Sequence, residues 1–97
     1  MSNQLLLTAC IAEIGTLRYT PAGCPALELT LEHESEATEA GSNRQVKLAL
    51  KAIALGPLAE TLGAQTLGSQ SQFSGFLGNR RNSKAIVFHI QEFRPVN

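Results

Sequence analysis

Within Ala26-Leu27-Glu28-Leu29-Thr30-Leu31-Glu32-His33, the six residues from Leu27 to Glu32 alternate strictly between apolar and polar side chains. Successive side chains of a strand point to opposite faces, whereas a helix would scatter these three leucines around its circumference. The stretch therefore reads as a strand with Leu27, Leu29 and Leu31 toward a core and Glu28, Thr30 and Glu32 toward water. A one-sided strand of this kind belongs to an antiparallel sheet with one wet face.

Working toward the N-terminus, Pro21-Ala22-Gly23 forms a turn and Leu17-Arg18-Tyr19-Thr20 precedes it. Gln4–Ile14 contains no Gly or Pro and places Leu5, Leu7, Ala9 and Ile11 on one parity, as a long first strand would. Toward the C-terminus, Glu34–Asn43 is acidic and rich in small residues, and is expected to be an exposed loop. Arg44–Ala54 alternates again, with Val46, Leu48 and Leu50 opposed to Gln45, Lys47, Ala49 and Lys51. Its Lys, Leu and Ala content also favours helix, but the period-2 pattern makes it the third strand. Gly56-Pro57 opens a short helix carrying Leu58, Ala59, Glu60 and Leu62, which Gly63 ends. Ser69–Gly78 is a fourth strand with Phe73 and Leu77 on one parity, and Gly75 within it predicts a bulge or bend. Asn79–Lys84 is a polar hairpin tip, and Ala85–Phe93 a fifth strand with Ile86, Phe88 and Ile90 as its apolar face.

Three strands, a short helix, then two strands is the order of an OB-fold, a five-stranded Greek-key barrel with a helix between strands 3 and 4. The 97 residues make one such domain. No apolar run approaches the roughly 20 residues needed to span a bilayer, and Met-Ser-Asn-Gln does not begin a secretory signal. A cytoplasmic location is expected. Cys10 and Cys24 lack metal spacing and read as small buried hydrophobes.

The chain contains no Asp, two histidines, and no nucleophile, zinc or phosphate-loop motif, so no catalysis, cofactor or metal is expected. His33 lies between Glu32 and Glu34, but neighbours on a strand point apart and cannot converge on an ion. It reads as a polar residue at a strand end, and His89, opposite in parity to Phe88 and Ile90, as facing solvent or a partner.

Net charge is zero but unevenly spread. Six glutamates stand against Arg18 up to Glu39; beyond it, seven lysines and arginines stand against Glu60 and Glu92. Such asymmetry permits a basic face on a neutral protein. Lys47 and Lys51 share one side of the third strand with Cα atoms about 13 Å apart, a spacing suited to phosphates of an extended single strand. Arg44 and Arg18 extend this track, and Arg80, Arg81 and Lys84 crowd the hairpin tip, which is one of the OB-fold loops that contact oligonucleotides. Trp is absent, and Tyr19 is the best candidate for stacking on a base.

Asn3-Gln4-Leu5-Leu6-Leu7, Pro21-Ala22-Gly23-Cys24-Pro25, Leu31-Glu32-His33, Glu39-Ala40-Gly41, Arg44-Gln45, Gly75-Phe76-Leu77 and Ser83-Lys84 to His89 occur in an order and spacing that resembles the bacterial primosomal replication protein N (PriB) family. The resemblance covers nearly the whole chain. It implies an OB-fold homodimer that binds single-stranded DNA in replication restart and contacts the PriA helicase and the DnaT primosomal protein. Family DNA contacts carried over by position fall on Arg18, Lys47, Arg81 and Lys84. The chain departs from the family where Lys47 replaces a tryptophan, where Glu34 replaces a basic residue, and in a slightly shorter basic loop. These departures leave a second reading open, an adaptor that uses the basic face chiefly for a protein partner.

Overall fold

The structure, a computed structural model, describes residues 1–80 and 82–96. In chain order it contains β1 (Leu5–Ile14), β2 (Arg18–Tyr19), β3 (Pro25–Glu39), β4 (Ser42–Leu55), α1 (Pro57–Gly63), β5 (Gln70–Asn79) and β6 (Ile86–Pro95). The strands join in the order β1-β5-β6-β4-β3-β2, and β1 also pairs with β3. That last pairing closes β1, β5, β6, β4 and β3 into a five-stranded barrel. All of its ladders are antiparallel except β4–β6, where Ala52, Ala54 and their neighbour Ile53 run parallel to Phe88–Ile90. This is the OB-fold expected from the element order.

Leu27, Leu29 and Leu31 are buried in the barrel as the quoted stretch required, with Ala9 and Ile11 of β1, Ala52 and Ala54 of β4, Phe73 of β5, and Phe88 and Ile90 of β6. Small alanines on β4 share this core with the two fully buried phenylalanines, Ala52 lying on the rung of Phe88, the mixture of small and large residues that fills a narrow barrel. Ala59 and Leu62 of α1 join this core from the side of β3 and β4. Pro57 sits in the first turn of α1, and Gly56 before it has φ 76°, a conformation a glycine adopts without strain. No helix among the described residues is long and apolar enough to cross a membrane.

Five expectations are corrected. Arg18–Tyr19 is itself a short strand on Ala26 and Pro25, so the helix lies between strands 4 and 5 rather than 3 and 4. Glu34–Asn43 is not a loop: β3 runs to Glu39, β4 starts at Ser42, and the two pair continuously from Ala26↔Leu55 to Glu39↔Ser42. Ala40 and Gly41 turn the chain with φ 51° and 79°, the positive-φ pair whose twist matches that of the flanking strands. The hairpin stands out from the barrel as an arm with two wet faces, which is why its composition looks like a loop.

Leu48, Leu77 and Ile86 share a parity with core residues yet are 42%, 38% and 64% exposed. Leu48 lies on the arm. The inward series of β5 is Ser71, Phe73 and Gly75, and Leu77 and Ile86 sit on the outer part of the second hairpin, beyond the cover of the core. The β5–β6 register shifts at Gly75, but the extra residue of the bulge is Gln91 of β6, and Gly75 is the residue that lets the bulged strand approach closely. Cys10 and Cys24 are free thiols, half-buried rather than buried. His33 is in mid-strand, where its Nδ1 donates to the Thr8 carbonyl at 2.7 Å and its Nε2 meets Ser35 Oγ at 2.8 Å. It fastens β1 to β3 just beyond the point where their ladder stops at Cys10↔Glu32.

Candidate nucleic-acid interface

The β3–β4 ladder sets the geometry of the basic track. Ala52 and Ala54 face the core, so Lys51 and Lys47 face outward on the same side, as alternation required. Thr30 is the rung opposite Lys51 and Glu34 the rung opposite Lys47. Lys51 Nζ donates to Thr30 Oγ1 at 3.0 Å, which lays the lysine along the face. Lys47 Nζ is 3.8 Å from Glu34 Oε1. Arg44 has the opposite parity and occupies the other face of the arm, with Nε 3.0 Å from Glu39 Oε1; the fold does not bring it to the lysines.

Arg80 leaves the end of β5 and reaches across to β3, where Nη1 donates to Glu28 Oε1 at 2.9 Å. Lys51 and Arg80 both line a hollow of about 160 Å³, with Glu13 and Glu28 on its walls. Arg18 and Tyr19, both exposed, border an adjoining hollow of about 290 Å³ that shares Glu28. Residues distant in the chain therefore converge: Arg18, Tyr19, Lys51 and Arg80 surround Glu28, and Lys47 continues the line onto the arm. Lys84 is exposed on the far limb of the second hairpin, where its carbonyl accepts from Asn79 Nδ2 at 3.2 Å. Arg81 lies outside the described residues.

The sequence reading did not find two features of this face. Phe76 and His89, opposed in the β5–β6 ladder, stack with centroids 4.7 Å apart and planes within 5°. His89 is also the parallel neighbour of Ile53, two residues along β4 from Lys51. The second feature is the engagement of Arg44, Lys47 and Arg80 by glutamates of a single strand, β3. Both depend on cross-strand register, and the only cue in the sequence was the matched alternation of the two hairpins. Among the described residues no group of three His, Cys or Glu side chains is placed to hold a metal ion.

Comparison with known proteins places this geometry. Residues 3–92 match the model described as another single-strand binding protein family. The replication restart protein PriB of Bordetella pertussis is 47% identical over 95 residues, covering 97% of this chain and 89% of that protein. The chain belongs to the PriB family. PriB of Nitrosomonas europaea is 33% identical over 97% of this chain and 88% of its own length. The structure of PriB from Ralstonia solanacearum superposes with a TM-score of 0.92 at 35% identity, covering all of both chains. The single-stranded DNA binding protein of Thermus aquaticus, at 24% identity, shares the fold with a TM-score of 0.79, matching 99% of this chain to 51% of that one.

Proposed function

We propose that this PriB-family protein is a cytoplasmic accessory factor of replication restart that binds single-stranded DNA chiefly through phosphates and stimulates the PriA helicase. The observation that carries the reading is the convergence of Lys51 and Arg80 at one hollow and Arg18 at the adjoining one, both bordered by Glu28 on the outer face of β3. These cations come from β4, the β5–β6 hairpin and β2 of an OB-fold whose family is named for single-strand binding. The activity is binding, and no chemical step enters it. Phosphates lie along the β3–β4 face from Lys47 to Lys51, Arg80, Arg81 and Lys84 hold the strand from the second hairpin, and Tyr19 offers a ring to a base.

A homodimer and a DnaT contact belong to the same proposal. β3 pairs with β1 only from Cys10 onward and reaches Thr8 through His33, so Leu5–Leu7 keeps one ladder edge open, with Leu6 65% exposed beside it. An open edge of this kind is a ready site for pairing with a second chain.

The test is fluorescence anisotropy with labelled dT oligonucleotides at two salt concentrations. The logarithm of affinity should fall with the logarithm of salt by about 0.7 per phosphate neutralised, and Lys51→Ala should weaken binding severalfold while making that slope shallower by about one such increment. A flat salt response would refute phosphate binding. The adaptor reading is favoured by the glutamates that already occupy three of the cations. Under it, Lys47→Ala with Lys84→Ala would lower helicase stimulation and leave DNA affinity nearly unchanged.

A further inference from the structure

The cations of the proposed DNA face are not waiting empty. Arg80 donates to Glu28 at 2.9 Å, Lys47 stands at the looser ion-pair distance of 3.8 Å from Glu34, and Arg44 on the arm's other face is 3.0 Å from Glu39. All three carboxylates come from β3, the strand against which the basic strand and the basic hairpin lie. The hollow between Lys51 and Arg80 carries Glu13 and Glu28 as well, so its two positive charges are matched by two negative ones. A phosphate entering it gains little net attraction until a carboxylate gives way.

We propose that the β3 carboxylates Glu28 and Glu34 are built-in competitors for phosphate, which hold Arg80 and Lys47 until a single strand displaces them. The proposal rests on the DNA-binding reading and adds to it the residues that set affinity and selectivity. A carboxylate and a phosphate oxygen accept the same charge-assisted hydrogen bonds, so DNA exchanges one partner of each cation for another. The exchange is feasible because the side chains concerned are about half exposed or more, 47% for Arg80 and 70% for Lys47. Exposed pairs of this sort are worth only a two- to fivefold factor.

A further consequence is selectivity. A lone anion or a protein carboxylate meets one competitor per cation with nothing to offset it. An extended strand offers several phosphates at once and displaces the carboxylates together, so multivalent ligands gain over single ones. The Glu28–Arg80 pair also ties the base of the second hairpin to β3, and its exchange for phosphate frees the hairpin to follow the strand.

Plain repulsion of phosphate by acidic side chains would also weaken binding, and the ladder separates the two mechanisms. Glu32 and Glu36 share the outer face of β3 with Glu34, but their rungs are Ala49 and Gln45, and no described cation lies within ion-pair distance of either. Glu34→Gln should tighten dT binding about two- to threefold, and Glu28→Gln with Glu34→Gln roughly five- to tenfold. Glu36→Gln should help less than Glu34→Gln, because Glu36 faces Gln45 and no described cation is released by its neutralisation.

The deciding measurement is a double-mutant cycle on the full chain, read by dT anisotropy at about 0.15 M salt. Glu34→Gln should help in the parent protein and lose that gain in a Lys47→Ala background. An equal gain in both backgrounds, or an equal gain from Glu36→Gln, would overturn the competition while leaving DNA binding intact. Absence of dT binding by the parent and by every Glu→Gln variant even at low salt would instead remove the DNA-binding reading, and the competition with it. Circular dichroism melting of each variant checks that the barrel is unchanged.

Discussion

Replacing Gly75 by alanine should be among the most damaging small changes in this chain. A Cβ built at Gly75 would overlap the carbonyl oxygen of His89, and would lie 2.9 Å from the carbonyl carbon and 3.0 Å from a ring carbon of Phe88. None of these partners can yield cheaply. The carbonyl belongs to the β6 backbone, and the Phe88 ring is fully buried against the rest of the core. Accommodating the methyl means pushing β6 away from β5 at the bulge. Overpacking of this kind costs about 1–3 kcal/mol, and one or two strained ladder hydrogen bonds add about 1 kcal/mol each. The reduced freedom of the unfolded chain returns about 0.4–1 kcal/mol. The net loss is about 2–4 kcal/mol, a large part of the roughly 5–15 kcal/mol that holds a typical domain together. For a domain of this size that corresponds to a fall of roughly 10–25 °C in Tm. The assay is urea denaturation and thermal melting at one fixed protein concentration, since any self-association would make both concentration-dependent. Gly78→Ala is the companion: its Cβ would meet the His89 ring at 3.0 Å, and a half-exposed ring can turn aside, so its loss should be below about 1 kcal/mol. A Gly75→Ala protein within about 0.5 kcal/mol of the parent would refute the account of the bulge.

Three further outcomes are expected. Phe88→Ala, removing a side chain with no exposed surface that sits across from Ala52, should cost about 3–5 kcal/mol in denaturant titrations. Tyr19→Ala should weaken dT binding about five- to a hundredfold if a base stacks on its 64% exposed ring, while Tyr19→Phe should retain affinity; equal loss in both would point to the hydroxyl instead. Ala40→Gly relieves a non-glycine φ of 51° at the arm's turn and should raise hydrogen-exchange protection of the flanking Glu39 and Ser42 amides about three- to fivefold, the roughly 1–2 kcal/mol of left-handed strain being partly offset by the freedom glycine adds to the unfolded chain.

The resemblance to the PriB family was legible because motif residues such as Leu31-Glu32-His33 and Glu39-Ala40-Gly41 keep their order and spacing whatever the fold does with them. Lys47 and Lys51 were readable as neighbours because both lie on one strand, where parity alone sets direction. Arg80, Glu28 and Arg18 were not readable as a group. Arg18 reaches Glu28 through the β2–β3 pairing that the sequence reading did not include, and only the closed barrel brings Arg80 of the second hairpin across to Glu28 of β3.

Local pattern was enough, by itself, to place the core stretches of the five barrel strands, the inward leucines of β3 and the helix opened by Pro57, since each follows from the geometry of a few consecutive residues. Tertiary structure alone decided the rest. It decided that Glu34–Asn43 pairs as an arm rather than loops, because that depends on a register propagated from Ala26↔Leu55. It decided that Leu77 and Ile86 are exposed, because the bulge and the barrel's end determine where a face ceases to be covered. It decided, finally, that glutamates and cations from opposite ends of the charge distribution stand within ion-pair distance, because a ladder joins residues by rung and not by their distance along the chain.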